Sequence, residues 1–396
     1  MVLNGECQMK IFQVVPFFTP SCGGSVTSTY NLSKELAKLG HEVTIITTDF
    51  KFDKEYVKSI EKEGVTLIPF HCVANIGFFL ISPSIKKWLI KNIKNFNIIH
   101  MHNFRSYQNN VVYRYAKKYN IPYLLQAHGS VLPFFEKQRL KKVYDLIWGY
   151  NILKNTSKVI ALTRTEVEQY KKMGISEDKI VIIPNGVDLS LFDHLPEKGS
   201  FRDKYDITSD TKIVLYLGRL HKIKGIDLLI DAFSEVQKEV PVSKLVIVGP
   251  DEGYLQTLQK QVEALNVGRD ILFTGPLYGK DKFAAYVDAN VYVLPSVYEA
   301  FPNTVLEAWA CGTPVIVTDC CGIADIIDNQ AGLVIPLDKV RLKEALLHML
   351  SDSKTRHQFR EKGHSLVMEK FALSKATKQI ETIYTSIVGK RETSDK

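Results

Sequence analysis

Apolar residues along the chain follow two alternating patterns, in which short β-branched and aliphatic runs are separated by longer segments of helical spacing. Near the start, the pattern predicts a strand at Lys10–Val15, a helix at Ser25–Leu39 and a strand at Glu42–Thr47. Gly40, between that helix and the next apolar run, is typical of a helix-to-strand junction. Strands that alternate with helices predict a parallel sheet covered by helices, which is an α/β fold.

The alternation continues along the chain and predicts two such units. Further strands of the first unit are predicted at Val65–Pro69, Ile98–Met101, Tyr123–Gln126, Val159–Leu162 and Ile180–Ile183. A polar stretch with Pro and Gly, residues 184–199, predicts a linker. Strands of the second unit are predicted at Lys212–Leu217, Lys244–Val248, Asp270–Thr274, Val291–Leu294, Pro314–Val317 and Gly332–Ile335. Its helices are predicted at Ile226–Glu239, Gly253–Leu265, Lys280–Val287, Thr304–Ala310 and Lys339–Ser351. The predicted domains are residues 1–190 and 191–370, and residues 371–396 include an amphipathic run at Ser374–Val388.

Composition is that of an ordinary globular protein, with 45% hydrophobic and 24% charged residues among 396. The sequence contains no run of 18 or more apolar residues, so no membrane-spanning helix is predicted. The first eight residues lack the features of a signal peptide, so a cytoplasmic protein is expected. The six cysteines are scattered without metal-binding spacing and predict reduced thiols. A redox role for the adjacent Cys320 and Cys321 is the alternative.

Basic charge is concentrated in the first half of the chain. Residues 1–190 contain 25 of the 51 Lys and Arg but 15 of the 43 Asp and Glu, and no acidic residue lies between Glu63 and Glu136. Within that stretch, residues 86–94 mix lysines with Trp88 and aliphatic residues at helical spacing. Such a helix can lie on an anionic membrane, so peripheral membrane binding is a hypothesis and an ordinary solvated helix is the alternative. Nucleic acid is disfavoured because aromatic residues are not interleaved with the basic ones.

Two groups of candidate residues in the first half follow predicted strands, where parallel sheets bind their ligands. Gly23 and Gly24 precede the first helix, where glycines allow close approach and helix amides attract phosphate. The motif does not match GxGxxG, and a plain tight turn is the alternative. His128 and Gly129 follow another strand. A neutral imidazole there can hydrogen-bond a sugar hydroxyl, and a loop histidine bonded to backbone is the alternative.

Two more groups follow strands of the second half. Arg219 and Lys224 are suited to phosphate oxygens, and two fixed cations would stabilise charge on a departing diphosphate. The alternative is that both are solvated surface residues. Glu299 and Glu307 are separated by seven residues, and carboxylates accept pairs of hydrogen bonds from vicinal hydroxyls. Taken alone, these two glutamates would fit a solvated helix.

Pro302 suits the first turn of a helix, which places Glu299 in the preceding loop and Glu307 inside the helix. Amides at the start of that helix can face phosphate. They belong to Phe301, Asn303 and Thr304.

Taken together, these residues resemble glycosyltransferase family 4, a family of retaining enzymes with the GT-B architecture. The motifs that carry the resemblance occur in the family's order over nearly the whole chain. They are Gly23-Gly24, His128-Gly129, Pro184-Asn185-Gly186-Val187-Asp188, Gly218-Arg219 with Lys224-Gly225, and Glu299 to Glu307 followed by Ala308 and Cys311-Gly312-Thr313-Pro314-Val315.

The resemblance implies an α/β protein of two Rossmann-like domains with a deep cleft between them and a last helix that crosses back onto the N-terminal domain. It implies transfer of a hexose-type sugar from a UDP- or GDP-sugar to an acceptor such as a lipid-linked or cell-surface glycan intermediate. The family needs no metal or other cofactor, and no enzymic nucleophile is expected.

The resemblance also assigns roles to individual residues. Arg219 and Lys224 would hold the donor diphosphate, Glu299 the transferred sugar and Glu307 the ribose. His128 would contact the sugar near its C6 hydroxyl. Other donor contacts are implied at Gly23, Gly24, Leu277, Tyr278, Phe301, Pro302, Asn303 and Thr304. The chain departs from many members in having Gly129-Ser130 after the histidine, which leaves the sugar contacts open.

Three other functional classes fit parts of the pattern. A nucleotide-sugar epimerase or a phosphorylase could use a similar fold, although the sequence shows no context for a pyridoxal-binding lysine. A non-catalytic subunit that binds nucleotide sugars is the remaining alternative.

Overall fold

The computed structural model of the protein describes residues 8–19, 23–76, 79–134 and 137–394. The chain forms two compact units, one of residues 1–186 with 373–396 and one of residues 187–372. The predicted domain boundary lies after residue 190, within the predicted linker.

A parallel sheet is the centre of the first unit. The strands of this unit are β1 (Lys10–Val14), β2 (Glu42–Thr48), β3 (Thr66–Phe70), β4 (Ala74–Ile76), β5 (Phe79–Ile81), β6 (Ile98–His102), β7 (Tyr123–Gln126), β8 (Lys158–Ala161) and β9 (Ile180–Ile182). Seven of them pair in the order β3-β2-β1-β6-β7-β8-β9. Ile11 and Phe12, successive residues of β1, pack into different core clusters because strand residues alternate between faces.

The seven strands of this sheet are those predicted from the apolar runs. The sequence analysis missed the antiparallel hairpin of β4 and β5. Three-residue strands are too short for a two-residue period to stand out.

Helices connect the strands of the first unit. They are α1 (Gly24–Lys38), α2 (Lys54–Lys62), α3 (Ser84–Asn92), α4 (Tyr107–Lys118), α5 (Gln138–Tyr144), α6 (Tyr150–Asn155) and α7 (Arg164–Lys172). A π-helical turn at Asp145–Gly149 joins α5 to α6.

The second unit contains a six-stranded parallel sheet. Its strands are β10 (Lys212–Leu217), β11 (Ser243–Val248), β12 (Ile271–Gly275), β13 (Val291–Leu294), β14 (Val315–Thr318) and β15 (Gly332–Ile335). They pair in the order β12-β11-β10-β13-β14-β15. Its helices are α8 (Ser200–Lys204), α9 (Ile226–Glu239), α10 (Leu255–Ala264), α11 (Gly279–Asp288), α12 (Asn303–Ala310), α13 (Ala324–Ile327), α14 (Lys339–Ser351) and α15 (Ser353–Lys370).

The helix α15 was not predicted because apolar residues are sparse along it. It packs instead through Gly363, where an added Cβ would lie 2.3 Å from the Trp309 ring. Only a residue without a side chain allows the helix to approach the buried indole so closely.

The last helix, α16 (Leu373–Ser394), belongs to the first unit. Its Tyr384 is fully buried, and the Tyr384 hydroxyl lies 2.6 Å from Nδ1 of His100 on β6. Glu381 lies 2.8 Å from Nε2 of His41. Two buried polar contacts and an apolar face therefore hold the last helix on the first unit.

Each sheet has one point at which the strand order reverses. In the first unit this point lies between β1 and β6, and in the second it lies between β10 and β13. Ligands of open parallel sheets bind outside the carboxyl ends of the strands at such points. The fold therefore predicts two ligand-binding edges, one at the carboxyl ends of β1 and β6 and one at those of β10 and β13.

Most of the apolar side chains of α3, the helix predicted to bind a membrane, pack on the core. Ile85 and Leu89 are fully buried, and the Trp88 ring packs 5.5 Å from the Phe12 ring, whereas Ile90 is 49% exposed. Membrane binding by this helix stays a prediction. Among the helices in the described part of the chain, none is long and apolar enough to cross a bilayer.

Candidate functional site

The loops after β10 and β13 meet at the reversal point of the second sheet. The Val297 amide donates to the carbonyl of Ile223 at 2.9 Å. Gly225 has φ of 63°, and a Cβ there would lie 2.1 Å from the carbonyl oxygen of Pro295. A side chain cannot fit in that gap, so glycine is required for the two loops to approach.

This approach places Lys224 against Glu299. The Lys224 ammonium donates to Oε2 of Glu299, and the two side chains are only 14% and 17% exposed. The Glu299 backbone is fixed by the loop after β14, because its amide donates to Cys320 and its carbonyl accepts from Gly322. The pair is therefore held from three loops and largely shielded from water.

Arg219 also follows β10, but its partner comes from another strand. Its Nη1 lies 2.6 Å from Oε2 of Glu252, in the loop after β11. A Cβ on Gly249 would lie 1.8 Å from the carbonyl oxygen of Gly218, so these loops also touch backbone to backbone. The sequence analysis missed Glu252 because nothing local identifies the partner of an arginine 33 residues away.

Glu307, on α12, has two partners that the sequence analysis missed. Nζ of Lys282 on α11 lies 2.8 Å from one oxygen, and the Tyr286 hydroxyl donates to the other at 3.3 Å. The Glu307 side chain is 15% exposed. These contacts fix the orientation of a carboxylate at the protein surface.

Three fully buried tyrosines, Tyr216, Tyr286 and Tyr292, lie beneath these charged groups. Burial raises the pKa of each well above its ordinary value, so all three stay neutral donors. Tyr216 interacts electrostatically with Glu299, Arg219 and Glu252.

Tyr292 interacts electrostatically with both Glu299 and Glu307. The four predicted charged residues of this unit therefore share one edge of the sheet, above a common layer of tyrosines.

The remaining predicted residues of the second unit surround this edge in different ways. Phe301 is buried, and its ring lies 5.9 Å from that of Phe371, so the side chain belongs to the core. Pro302 is also buried. Asn303 begins α12, and Oγ1 of Thr304 lies 2.7 Å from the Tyr292 hydroxyl.

Leu277 and Tyr278 follow β12, directly before α11. The Tyr278 side chain is 58% exposed. A nucleobase could stack on the exposed Tyr278 ring without displacing other side chains.

In the first unit, His128 follows β7 in the left-handed conformation, with φ of 51°. The backbone on both sides is held by α7. The Tyr170 hydroxyl accepts from the Ala127 amide at 3.1 Å, and the buried Glu166 carboxylate accepts from the Gly129 amide at 2.6 Å. Burial raises the pKa of Glu166 to about 7. These contacts hold His128 in a conformation that non-glycine residues rarely adopt.

A chain of buried polar contacts joins the His128 ring to His102 and Gln13. Burial lowers the pKa of His128 to about 3 and that of His102 well below its ordinary value, so both rings are neutral. Nε2 of His102 lies 2.7 Å from the side-chain amide of Gln13, and Nδ1 of His102 lies 2.9 Å from Nε2 of His128.

Nδ1 of His128 is buried, and among the described residues this atom has no hydrogen-bond partner. A neutral imidazole nitrogen can form a hydrogen bond with a hydroxyl group, which is the chemistry that a sugar offers.

Gly23 and Gly24 lie at the reversal point of the first sheet. Gly23 has φ of 92°, and its carbonyl accepts from the amides of Val26 and Thr27 at the start of α1. Only glycine adopts this conformation without strain. No cluster of three or more His, Cys, Asp or Glu side chains in the described ranges is arranged to hold a metal ion.

Two family models match the chain. The model described as Glycosyltransferase Family 4 matches residues 22–191, and that described as Glycosyl transferases group 1 matches residues 197–366. Between them they cover the whole second sheet, all of the first sheet except β1, and each predicted site residue.

Relatives of similar length support the same grouping. An uncharacterized glycosyltransferase of Methanocaldococcus jannaschii is 27% identical over 391 residues, covering 95% of this chain and 98% of its own. The N-acetyl-alpha-D-glucosaminyl L-malate synthase of Bacillus anthracis is 26% identical over 388 residues, covering 93% and 95%.

Solved structures share the fold. The Anabaena protein HepE, in complex with UDP and glucose, aligns with a TM-score of 0.80 at 17% identity, over 96% of this chain and all of its own. Sucrose-phosphate synthase of Thermosynechococcus elongatus aligns with a TM-score of 0.79 at 22% identity, over 96% and 100%.

Proposed function

Since the chain belongs to glycosyltransferase family 4 and has its GT-B fold, we propose that it moves a hexose-type sugar from a UDP- or GDP-sugar to a lipid-linked or cell-surface glycan intermediate. The observation that supports this most directly is the shielded pair of Lys224 and Glu299 at the reversal point of the second sheet. The pair places a cation, which can bind a phosphate, beside a carboxylate, which can accept a hydrogen bond from a sugar hydroxyl.

In this proposal Lys224 and Arg219 bind the donor diphosphate. Both are held in place by carboxylates, so their orientation is set before the donor arrives. As the bond to the sugar breaks, negative charge grows on the diphosphate, and fixed cations stabilise it most at that stage. We expect no metal requirement, because these two side chains supply the positive charge.

The carboxylates bind the hydroxyls on either side of the diphosphate. Glu299 accepts from the transferred sugar, and Glu307 accepts from the ribose. Nδ1 of His128 forms a hydrogen bond with the sugar's C6 hydroxyl, which suits its neutral state. Leu277 and Tyr278 contact the base.

Backbone groups complete the donor contacts. The amides at residues 301, 303 and 304 face the phosphates, and Gly23 and Gly24 shape the loop over them. Transfer proceeds with retention, and the leaving phosphate takes the acceptor's proton. No enzymic nucleophile is assigned.

Binding of nucleotide sugars tests the proposal directly. We expect at least one UDP- or GDP-sugar in a panel to raise the melting temperature, because a ligand at 100 times its Kd stabilises the native state by about 2.7 kcal/mol. The stabilising donor is then incubated with lipid-linked glycan acceptors, and product is followed by mass spectrometry. Return of an isomeric donor would indicate an epimerase, and binding without turnover a binding subunit. No stabilisation by any nucleotide sugar or nucleoside diphosphate would contradict the proposal.

Glu307→Ala is expected to raise the KM for the donor about tenfold and to leave kcat nearly unchanged. The ribose contact changes little between the bound donor and the transition state, so its loss weakens both equally. Glu307→Gln, which keeps one acceptor oxygen, should show a smaller rise. A fall in kcat at unchanged KM would place Glu307 at the reacting sugar instead.

A further inference from the structure

Residues 138–155 form a nearly continuous helix, which consists of α5 and α6 with the π-helical turn between them. One side of this helix packs on the first unit. Tyr144, Ile152 and Leu153 are buried, and the Trp148 ring lies 5.3 Å from the Tyr144 ring. This side supplies the packing that holds the helix in place.

A second apolar side of the same helix faces outward. The apolar residues on it lie at helical spacing and are 49–75% exposed. They are Leu140, Val143, Leu146, Ile147 and Tyr150. A helix that only covers a core has polar residues on this side, so an exposed apolar stripe indicates a further contact.

Basic side chains border the apolar stripe. Lys137, Arg139, Lys142 and Lys154 are all exposed. The one acidic residue between positions 137 and 155 is Asp145, which is buried and paired with Arg105. The outer surface of this helix, which we call the 137–154 surface, is therefore apolar along its middle, cationic at its edges and without an acidic side chain.

We propose that the 137–154 surface binds an anionic lipid bilayer, with the apolar stripe inserted among the lipids and the basic side chains at the headgroups. Helices that lie in a membrane interface have this distribution of apolar and basic residues. A second copy of the chain is a poorer partner, because a symmetric contact would bring the two sets of basic side chains together. The observations favour a negatively charged partner with an apolar interior.

This inference rests on the proposed function for its biological meaning, because it brings the enzyme to a lipid-linked acceptor. The link to the site is Arg105, which is 8% exposed. Its guanidinium donates to Asp145 in the helix at 2.6 and 2.8 Å and to the carbonyl of Val131 at 3.0 Å. It also donates to the carbonyl of Ser130. One buried guanidinium therefore joins this helix to Ser130 and Val131, which follow His128 in the chain.

Co-sedimentation with vesicles tests the proposal. At low salt the full-length protein should bind vesicles of phosphatidylcholine and phosphatidylglycerol, and should bind phosphatidylcholine alone far more weakly. Leu146→Ser with Ile147→Ser should lower the partition coefficient at least tenfold. Arg139→Ser with Lys142→Ser should lower it about thirtyfold, and added salt should lower binding of the unaltered protein.

Matched variants control for the loss of apolar area and of charge. Val242→Ser with Leu337→Ser removes comparably exposed apolar side chains from the second unit. Lys62→Ser with Lys172→Ser removes two exposed charges from elsewhere in the first unit. Both controls should bind vesicles as the unaltered protein does, apart from a small loss with the second.

Two outcomes would overturn the proposal. One is the absence of binding to anionic vesicles at low salt, and the other is binding that the 137–154 substitutions leave unchanged. A dimer by sedimentation velocity that Leu146→Ser with Ile147→Ser converts to a monomer, without vesicle binding, would identify a second copy as the partner. Donor-induced thermal shift, measured without vesicles, should be the same in all variants. Vesicle binding by a protein that no nucleotide stabilises would contradict the proposed function and leave this inference standing.

Discussion

Glu299→Ala and Lys224→Ala are each expected to lower the rate of sugar transfer at least about a hundredfold, the loss seen when one charged or polar contact to a transition state is removed. Glu299 accepts the hydrogen bond of Lys224, and both are shielded from water, so their interaction is weakly screened. In the proposed mechanism, removing Glu299 removes a sugar contact and also releases Lys224 from its position. Removing Lys224 would leave the departing diphosphate short of one cation.

The measurement is kcat/KM for the donor, followed by release of the nucleoside diphosphate. Asp281→Ala is the matched control, because Asp281 forms an ion pair with Lys204 at 2.8 Å in the same unit, 54% exposed. This variant should keep the activity of the unaltered enzyme. Near-normal rates for Glu299→Ala and Lys224→Ala, with unchanged melting temperature, would remove both residues from the proposed mechanism.

Arg105→Ala is expected to lower the free energy of unfolding of the first unit by about 3–5 kcal/mol. Arg105 and Asp145 are 8% and 3% exposed and form two hydrogen bonds. Without the guanidinium, a buried carboxylate and two backbone carbonyls lose their donor. Burial already raises the pKa of Asp145 despite Arg105. The loss in the variant should therefore shrink at acidic pH, where a protonated carboxyl needs no cation.

Urea unfolding followed by tryptophan fluorescence measures this loss, since Trp88 and Trp148 report on the first unit. Arg105→Met with Asp145→Leu should recover most of the stability, because the unpaired charge is removed as well. Arg341→Ala, which breaks an exposed pair with Glu344, should change stability by less than about 1 kcal/mol. Equal effects of Arg105→Ala and Arg341→Ala would show that the buried pair is not important for the fold.

The chemistry of the second unit shows where sequence reasoning was sufficient and where it was not. Arg219, Lys224 and Glu299 follow strands and Glu307 lies inside the helix after β13, and those positions were evident from apolar periodicity. Their partners were not evident. Lys282 lies 25 residues from Glu307 along the chain and is adjacent to it only because of how α11 and α12 pack.

The first unit shows the same limit of sequence reasoning, in this case for predicting which helix binds a membrane. Basic and apolar residues at helical spacing occur both at 84–92 and at 138–155. In α3 most apolar residues face the core and only Ile90 is exposed, whereas α5, α6 and the turn between them expose a second apolar set of five residues. Periodicity shows that a helix has an apolar face, but it does not distinguish a face that packs on a sheet from one that does not.

The sequence by itself determined the two α/β units, the strands of both sheets and the strand ends at which polar residues gather. These features follow from hydrophobic spacing and from glycines at turns, which are local properties of the chain. Only the tertiary structure decided which distant side chains pair, which side chains surround the His128 ring and which apolar residues stay exposed. Those depend on strand order and helix packing, which bring together groups far apart in sequence.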